Sequence, residues 1–242
     1  MQFKTPESIN KVEHHYCAAC GHGIAHRIIC EVIDELNIRD KVIAIAPVGC
    51  AVLGYFYWNF DTTEVAHGRP PAAATGIKRV LPDRIVLTYQ GDGDLAAIGG
   101  NEMLHAASRG ENITVFFINN ACYGMTGGQM APTTLINQQT STTPSGRALE
   151  DGRPIKVCEL LSGLEGVSYL ERVSLSSPAN IIKAKNAAKK AIKYQMQNKG
   201  FSLVEFLSMC PTGWGVKPQD SPKWIDDHML DFFPLGVYKD IK

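Results

Sequence analysis

The segment Gly91–Asp94, which reads Gly-Asp-Gly-Asp, carries the most specific chemical pattern in the sequence. Together with Ala96 it almost matches the G-x-G-x-x-A fingerprint of a dinucleotide-binding loop, and Glu111 lies near the position of a ribose-binding acid. Such a loop holds a bare diphosphate with backbone N–H groups, and two carboxylates beside that diphosphate would repel it. A divalent cation removes the repulsion, because the carboxylate then binds the metal and the metal binds the diphosphate. The pattern therefore predicts a metal-bridged diphosphate site, while an EF-hand is excluded because Leu95 occupies a ligand position.

A second set of oxygen ligands follows the next predicted strand along the chain. That strand, Ile113–Asn119, leads directly into Asn120. If it is the parallel neighbour of the strand before Asp92, both loops open at the same carboxyl edge of the sheet, where ligands bind. Asp92 and the Asn120 amide then share an octahedral Mg²⁺ with a backbone carbonyl and two diphosphate oxygens. The alternative is that both segments are ordinary turns.

Cysteines form the other group of reactive side chains. Cys17 and Cys20 make a Cys-x-x-Cys pair, which is typical of zinc sites, of dithiol redox centres and of iron–sulfur clusters. His22 and His26 follow at i,i+4 spacing, so a Cys₂His₂ zinc site is an alternative that spacing alone leaves open. The chain has seven cysteines and no visible secretion signal, which argues against a disulfide framework.

The elements that must position these residues alternate between strands and helices. Near-continuous apolar runs, typical of strands buried on both faces of a parallel sheet, are Val42–Ala46, Arg84–Gln90, Ile113–Asn119, Ser168–Val173 and Ser202–Ser208. Helices are predicted at Gly23–Leu36, Ala72–Val80, Ala96–Ser108 and Pro178–Asn198. We expect one α/β domain over residues 1–242, with a mostly parallel sheet and helices on both faces. The segment Ala131–Pro154 is predicted to be a long loop, and loops of that length usually have a function.

The remaining cysteines divide according to these elements. Cys30 falls inside one predicted helix and Cys158 near another, so both are expected to be small core residues. Cys50 and Cys210 each follow a predicted strand, and we expect them at the same carboxyl edge as Asp92.

The amino-acid composition argues against some classes of function. The chain has 24 Lys+Arg and 24 Asp+Glu, and this zero net charge argues against nucleic-acid binding, which needs an excess of cations. The first residues lack an apolar signal region. The uncharged run Val42–Phe60 has the length of a membrane span, but Pro47 and Gly49 interrupt it, so we interpret it as a strand running into a functional loop. We expect a cytoplasmic protein without membrane contact.

Taken together, these motifs resemble the β subunit of 2-oxoacid:ferredoxin oxidoreductases. The 28-residue spacing from Asp92 to Asn120 matches the thiamine diphosphate motif of that family. Further matching segments are His67-Gly68-Arg69, Ala74-Thr75-Gly76, Tyr123-Gly124-Met125-Thr126-Gly127-Gly128-Gln129, Pro132-Thr133-Thr134 and Cys210-Pro211-Thr212-Gly213-Trp214. The resemblance covers about residues 13–240 and implies the pyrophosphate-binding domain of a transketolase-like pair.

The resemblance also implies three cofactors and their ligands. Mg²⁺ is expected to bind Asp92, Asn120 and the backbone carbonyl of Cys122. A [4Fe–4S] cluster is expected on Cys17, Cys20, Cys50 and Cys210. Thiamine diphosphate is expected to contact Val48, Gly49, Cys50, His67, Gly93, Asp94, Gly124, Met125 and Thr126. Of these, His67 is the expected catalytic residue, reaching the cofactor or the substrate carboxylate.

The implied activity is the coenzyme A-linked oxidative decarboxylation of a 2-oxoacid, with electrons passing through the cluster to ferredoxin. The expected substrates are 2-oxoglutarate and 3-methyl-2-oxobutanoate. An α subunit that binds the aminopyrimidine is required, and γ and δ subunits are expected as further partners. Two alternatives stay open: a non-oxidative thiamine decarboxylase or synthase with structural or zinc-binding cysteines, and a Rossmann-type regulatory module.

A solvated face, or a docking patch for an acidic electron carrier, accounts for the lysines near the last long helix, Lys183, Lys185, Lys189, Lys190, Lys193 and Lys199.

Overall fold

The computed structural model describes residues 4–241 and contains a seven-stranded sheet. Its strands are β1 (Val42–Ala46), β2 (Asp61–Glu64), β3 (Ile85–Gly91), β4 (Thr114–Asn119), β5 (Val167–Ser174), β6 (Phe201–Leu207) and β7 (Gly236–Asp240). In space the order is β2-β1-β3-β4-β6-β5-β7. Neighbouring strands run parallel, except that β7 is antiparallel to β5. The loops after β1, β3, β4 and β6 therefore open at one carboxyl edge.

Helices pack on both faces of this sheet. Within the described residues the α-helices are α1 (Gly21–Glu35), α2 (Gly54–Tyr57), α3 (Pro70–Val80), α4 (Gly100–Ser108), α5 (Val157–Ser162), α6 (Pro178–Met196), α7 (Pro211–Trp214) and α8 (Ser221–Trp224). Residues of α1 and α6 share one apolar core, and residues of α3, α4 and α5 share the other. The predicted α/β fold with a mostly parallel sheet is confirmed.

Strand β4 shows how the two cores hold the sheet edge in place. Phe116 belongs to the core beneath α1 and α6, and Phe117 belongs to the opposite core. Both side chains are fully buried, as the two-residue period of a strand requires when both faces are covered. Each such burial contributes about 1.5–3 kcal/mol. Packing on both faces therefore fixes the last residue of β4, Asn119, and the start of the loop after it.

All five predicted strands are confirmed, and their bounds shift by at most one residue. The predicted start of α6 is also confirmed, because the Ser177 hydroxyl accepts a hydrogen bond from the Asn180 N–H and Pro178 occupies the first turn. The helix predicted at Ala96–Ser108 is different: a π-helical turn, Gly93–Ile98, precedes α4. Gly99 separates these two helical segments, which explains the change of winding.

Two edge strands have no counterpart in the predicted elements. Strand β2 reads Asp-Thr-Thr-Glu and β7 reads Gly-Val-Tyr-Lys-Asp, and none of their residues is buried. Neither segment carries a buried apolar run, so pairing with β1 and β5, rather than local sequence, makes them strands.

Two lysines of α6 form ion pairs with acids of α1. Lys185 pairs with Glu31 at 2.8 Å, and Lys189 pairs with Glu35 at 2.9 Å, both across to α1. These ion pairs favour a structural role for this face over a docking patch.

Cys30 and Cys158 are fully buried, so their prediction as core residues is confirmed. Among residues 4–241, no helix combines the length and apolar character that crossing a membrane requires.

Candidate functional site

A pocket opens at the carboxyl edge of the sheet, between the ends of β1, β3 and β4. Every residue predicted to contact thiamine diphosphate or Mg²⁺ lines it. The lining consists of His22, Val48, Gly49, Cys50, Ala51, His67, Gly91, Asp92, Gly93, Asp94, Ile98, Asn120, Cys122, Tyr123, Gly124, Met125 and Thr126. The structure thus brings together predicted residues from four separate segments of the chain. Of the predicted site residues, Cys17, Cys20 and Cys210 lie outside this lining.

The predicted magnesium ligands face one another inside the pocket. One terminal atom of the Asn120 amide lies 3.2 Å from Asp92 Oδ2 and 2.7 Å from the carbonyl oxygen of Cys122. With nitrogen at that position, the amide donates hydrogen bonds to both oxygens. With oxygen at that position, three oxygen acceptors converge, an arrangement that needs a cation between them. A carboxylate, an amide and a backbone carbonyl are ligands that Mg²⁺ accepts, so the donor set fits the predicted ion.

Asp92 is buried and has few partners for its charge. It accepts hydrogen bonds from the Gly93 N–H and the Thr133 hydroxyl, each at 2.9 Å. Burial raises the pKa of Asp92 to about 7, although these hydrogen bonds oppose the shift. Within residues 4–241, no group of three His, Cys, Asp or Glu side chains is arranged as a metal site. The predicted magnesium set contains one such side chain, since its other ligands are an amide and a carbonyl oxygen.

His67 and Asp94 form a hydrogen-bonded pair at the pocket wall. The Asp94 carboxylate accepts hydrogen bonds from His67 Nδ1 at 2.6 Å, from the Gly68 N–H at 2.9 Å and from Gln90 Nε2 at 2.6 Å. Asp94 is buried, whereas the His67 side chain is about one-third exposed. An ionised Asp94 places the Nδ1 hydrogen of the imidazole between the two groups and leaves Nε2 for other contacts. The sequence predicted both residues in the site but did not predict that they bind each other.

The four cysteines predicted to hold a cluster come from three parts of the chain. Cys17 and Cys20 lie in the turn before α1, Cys50 follows β1, and Cys210 follows β6. The Gly21 N–H donates to the Met209 carbonyl at 3.1 Å and so joins the N-terminal turn to the end of β6. A Cβ on Gly21 would displace the Ser208 hydroxyl and would lie 3.0 Å from the Met209 backbone nitrogen, so this close approach favours glycine.

The thiol groups of these cysteines act on one another electrostatically. Burial raises the pKa of Cys20 to about 12, and Cys210, Cys50 and Cys17 add to the shift. Burial likewise raises the pKa of Cys50 to about 11, with contributions from Cys210 and Cys17. Cys20, Cys50 and Cys210 are partly buried, whereas Cys17 is exposed. Thiolates that lie close to one another are stable only beside positive charge. A [4Fe–4S] cluster takes four thiolates, so the four cysteines fit it in number and type, but among residues 4–241 they are not arranged as a metal site.

His22 and His26, the histidines of the alternative zinc site, form hydrogen bonds to tyrosines. His22 Nδ1 contacts the Tyr89 hydroxyl at 2.6 Å, and His26 Nε2 contacts the Tyr16 hydroxyl at 2.7 Å. Both imidazoles are buried among aromatic rings, and burial lowers the pKa of His22 to about 4. Their hydrogen bonding to tyrosines does not support a Cys₂His₂ site.

The ribose-binding acid of the Rossmann alternative is also engaged elsewhere. Glu111 lies outside the pocket lining and pairs with Arg79 and, at 2.7 Å, with Arg109. The loop after β3 therefore lacks the acid that a dinucleotide site would place beside the ribose.

Two contacts at the site were not predicted from sequence. The Thr133 hydroxyl donates to Asp92 from within the long segment Ala131–Pro154, and the Trp214 indole N–H donates to the Asn120 carbonyl at 2.8 Å. Arg147 holds the long segment in place, donating to backbone carbonyls that include that of Thr134 at 2.6 Å. The expected function of this segment thus corresponds to direct support of Asp92, for which the Pro-Thr-Thr motif was the available signal.

A parallel α/β sheet with these ligands after β3 and β4 defines the class of a thiamine-diphosphate-binding domain. Residues 48–206 match the family model described as thiamine pyrophosphate enzyme, C-terminal TPP binding domain. This range begins just after β1, contains β2 through β5 and most of β6, and includes the parts of the loops after β1, β3 and β4 that line the pocket.

Individual relatives define the chain more narrowly. The ketoisovalerate oxidoreductase subunit VorA of Methanothermobacter marburgensis is 50% identical over 227 residues, which are 93% of this chain and 48% of that protein. The 2-oxoglutarate synthase subunit KorB of Methanocaldococcus jannaschii is 38% identical and is matched over 80% of its length by 91% of this chain. A solved 2-oxoglutarate:ferredoxin oxidoreductase from Magnetococcus marinus superposes with a TM-score of 0.81 at 25% identity, covering 100% of this chain and 86% of that chain.

The chain therefore belongs to the thiamine pyrophosphate enzyme family, as a β subunit of the 2-oxoacid:ferredoxin oxidoreductases. It spans about half the length of the VorA relative.

Proposed function

We propose that this chain is the thiamine diphosphate and iron–sulfur subunit of an enzyme that oxidatively decarboxylates a 2-oxoacid. Coenzyme A would accept the acyl group, and ferredoxin would accept electrons through a [4Fe–4S] cluster. The observation that carries the proposal is the arrangement of the pocket, where Asp92, the Asn120 amide and the Cys122 carbonyl face one another and where Cys50 lies close enough to Cys210 and Cys17 for them to add to the rise that burial causes in the pKa of its thiol. A non-oxidative thiamine enzyme has no use for cysteine thiols beside its cofactor pocket, so their presence favours the oxidoreductase.

The oxygen ligands have the role of fixing the diphosphate. Asp92, Asn120 and the Cys122 carbonyl would hold Mg²⁺, and Thr133 would orient the Asp92 carboxylate. When bound, thiamine diphosphate supplies the carbanion that adds to the 2-oxo carbon and the ring that takes up electrons after CO₂ leaves. The contacts from this chain position that chemistry at the carboxyl edge of the sheet.

His67 is proposed to contact the cofactor or the substrate carboxylate. Because Asp94 accepts the Nδ1 hydrogen, the imidazole is fixed in one orientation and Nε2 remains for the contact. A ring held in this way can hold or move a proton at Nε2 without first rotating.

A partner chain is part of the proposal. The two carboxylates of the pocket lining are Asp92 and Asp94, and both are engaged within this chain. The carboxylate that must bind the aminopyrimidine would therefore come from a pyrimidine-binding α subunit. We propose γ and δ subunits as further partners and the cytoplasm as the location of the complex.

For the substrate we propose ketoisovalerate, which is 3-methyl-2-oxobutanoate. The VorA relative is 50% identical, whereas the KorB relative is 38% identical. No Lys or Arg is among the residues described as lining the pocket, whose apolar members include Val48, Ile98 and Met125. A branched apolar acyl group suits such a lining, while the second carboxylate of 2-oxoglutarate needs a cation. The longer coverage of the KorB relative keeps 2-oxoglutarate as the second candidate.

Metal content tests the cofactor assignment. The chain would be purified anaerobically with its co-expressed partners, and iron, zinc and the EPR spectrum after dithionite reduction would be measured. We expect about four irons assigned to this subunit. Cys210→Ala should abolish them, whereas Cys158→Ala, a buried cysteine outside the set, should retain them. Zinc, or no metal after strict exclusion of oxygen, would support the non-oxidative alternative.

Substrate preference is tested separately with the intact complex. Ketoisovalerate and 2-oxoglutarate would be compared by kcat/KM for coenzyme A-dependent reduction of ferredoxin. A higher kcat/KM for ketoisovalerate is expected, and the opposite order would assign the chain to 2-oxoglutarate. Asp92→Asn should abolish Mg²⁺-dependent binding of thiamine diphosphate, and unchanged binding would contradict the magnesium assignment.

A further inference from the structure

The backbone between two predicted magnesium ligands has an unfavourable conformation. Ala121 lies between Asn120 and Cys122 and has a φ of 55°, in the left-handed region. Residues other than glycine rarely adopt this region, because their Cβ atom then lies too close to a carbonyl oxygen. Ala121 is fully buried, and such a conformation persists only where its surroundings hold it in place. At this turn, one end of the Asn120 amide lies 2.7 Å from the Cys122 carbonyl oxygen.

Side chains bind both polar groups of the Ala121 backbone. The Ala121 N–H donates to Asn119 Oδ1 at 3.2 Å. The Ala121 carbonyl oxygen accepts from the Thr134 hydroxyl at 2.7 Å and from Gln138 Nε2 at 2.9 Å. Thr134 and Gln138 belong to the long segment after β4, whereas Asn119 is the last residue of β4. Through Asn119, the sheet itself thus fixes this turn.

The Asn119 amide is oriented by a buried carboxylate on the neighbouring strand β6. Asn119 Nδ2 donates to Glu205 Oε1 at 2.8 Å, and both side chains are fully buried. An ionised carboxylate accepts hydrogen bonds and donates none. It therefore binds the nitrogen end of the amide, which leaves the amide oxygen for the Ala121 N–H.

Arg172 on β5 balances the charge of Glu205. Its Nε lies 2.9 Å from Glu205 Oε2, and neither side chain is exposed. Arg172 also pairs with Glu159 at 2.6 Å. A buried ion pair adds little net stability, because removing two charges from water often costs as much as their attraction gains. What the pair supplies to the site is a fixed acceptor for the Asn119 amide.

We infer that Asn119, held by Glu205, is a positioning residue for the magnesium site. It keeps Ala121 in the left-handed conformation that directs the Asn120 amide and the Cys122 carbonyl toward one cation. The inference rests on the proposed function, because it requires Mg²⁺ on these ligands. Asn119 acts through Ala121, since its own side chain lies outside the pocket lining.

Calorimetric titration of the purified complex with thiamine diphosphate, at several Mg²⁺ concentrations and without turnover, tests this role. Asn119→Ala should raise the Kd by about 10–100-fold, as loss of an outer partner of a metal ligand typically does. It should also raise the Mg²⁺ concentration that binding requires. Adding Ala121→Gly should recover at least about threefold of this loss, because glycine adopts a positive φ without the Asn119 hydrogen bond. Asn112→Ala, which removes an asparagine side chain at the other end of β4, should leave the Kd unchanged.

Thermal unfolding without cofactor shows which variants fold. If Asn119→Ala does not fold, Asn119→Ser, which keeps a short polar side chain, takes its place. It would be titrated alone and together with Ala121→Gly, and the same recovery is expected.

Three results would overturn the inference, and they are distinguishable. A folded Asn119→Ala variant that binds as tightly as the unmodified complex would show that Asn119 does not position the site. A loss of binding that Ala121→Gly does not reduce would show that Asn119 does not act through Ala121. Both results leave the proposed function intact. An unmodified complex whose binding of thiamine diphosphate does not depend on Mg²⁺ would refute the magnesium assignment itself, and with it this role of Asn119.

Discussion

Replacing Thr133 by valine removes a single hydroxyl group from beneath the predicted metal site. Thr133 is fully buried, and its hydroxyl donates to Asp92 Oδ2 at 2.9 Å. The other hydrogen bond to this carboxylate, from the Gly93 N–H, reaches Oδ1. Valine has nearly the shape of threonine, so the change removes the donor that orients Oδ2 toward Asn120 without opening a cavity.

The size of the effect follows from the charge of the acceptor. A hydrogen bond to a charged group contributes about 1.5–3 kcal/mol, and loss of an outer partner of a metal ligand typically costs about 10–100-fold in affinity. We therefore expect the Kd for thiamine diphosphate in the presence of Mg²⁺ to rise by about 10–100-fold in Thr133→Val. Isothermal titration calorimetry of the purified complex at several Mg²⁺ concentrations measures this directly.

Thr133→Ser provides the matched control, since it keeps the hydroxyl and should bind within about threefold of the unmodified protein. Thermal unfolding without cofactor, followed for both variants, separates loss of binding from loss of folding. If a folded Thr133→Val bound the cofactor as tightly as Thr133→Ser, the contact would not support the metal site. The reasoning from burial and hydrogen bonding would then be wrong for this residue.

Two further predictions concern the carboxylates of Asp94 and Glu111. Asp94→Asn should lower kcat by about 100-fold or more, because the amide no longer fixes the tautomer of His67. Steady-state reduction of ferredoxin measures this loss. Activity equal to that of the unmodified enzyme would refute the role of the hydrogen bond between His67 and Asp94. Burial raises the pKa of Glu111, but Arg109 and Arg79 outweigh burial and hold that pKa below its usual value of 4.5. Its stabilisation is therefore present above pH 4.5 and is lost as pH falls through the lowered pKa. Glu111→Gln should be less stable than the unmodified protein near neutral pH, with the difference shrinking in acid; urea unfolding across pH checks this, and a constant difference would contradict it.

The parts of the fold that follow from sequence are those buried by local pattern. Strand β1 is a short β-branched run covered on both sides, and its predicted bounds coincide with the observed ones. Strands β2 and β7 are polar, so their conformation depends on a neighbour whose position no local pattern specifies. The same distinction applies to the helix before β4, where Gly99 sets a break that helical periodicity does not reveal.

The same distinction applies to the residues of the site. Asp92 and Asn120 were accessible from sequence because each follows a strand, and parallel strands share a carboxyl edge. Thr133 was not assigned a role, because it reaches Asp92 from a loop more than ten residues beyond β4 whose path depends on Arg147. Side-chain contacts across such a path depend on tertiary packing, which spacing along the chain does not encode.

The order of strands explains why the two predicted cofactor sites adjoin. Strands β1, β3, β4 and β6 are consecutive in the sheet, and each contributes to the site at its carboxyl end. In that order the loops supply Cys50, then Asp92, then Asn120 with Cys122, and finally Cys210. Cysteines thus flank the oxygen ligands on both sides, and the turn containing Cys17 and Cys20 is joined to the Cys210 side by the hydrogen bond from the Gly21 N–H to the Met209 carbonyl. If the proposed function is correct, the sheet topology places a group reduced at the centre of this edge beside the proposed cluster.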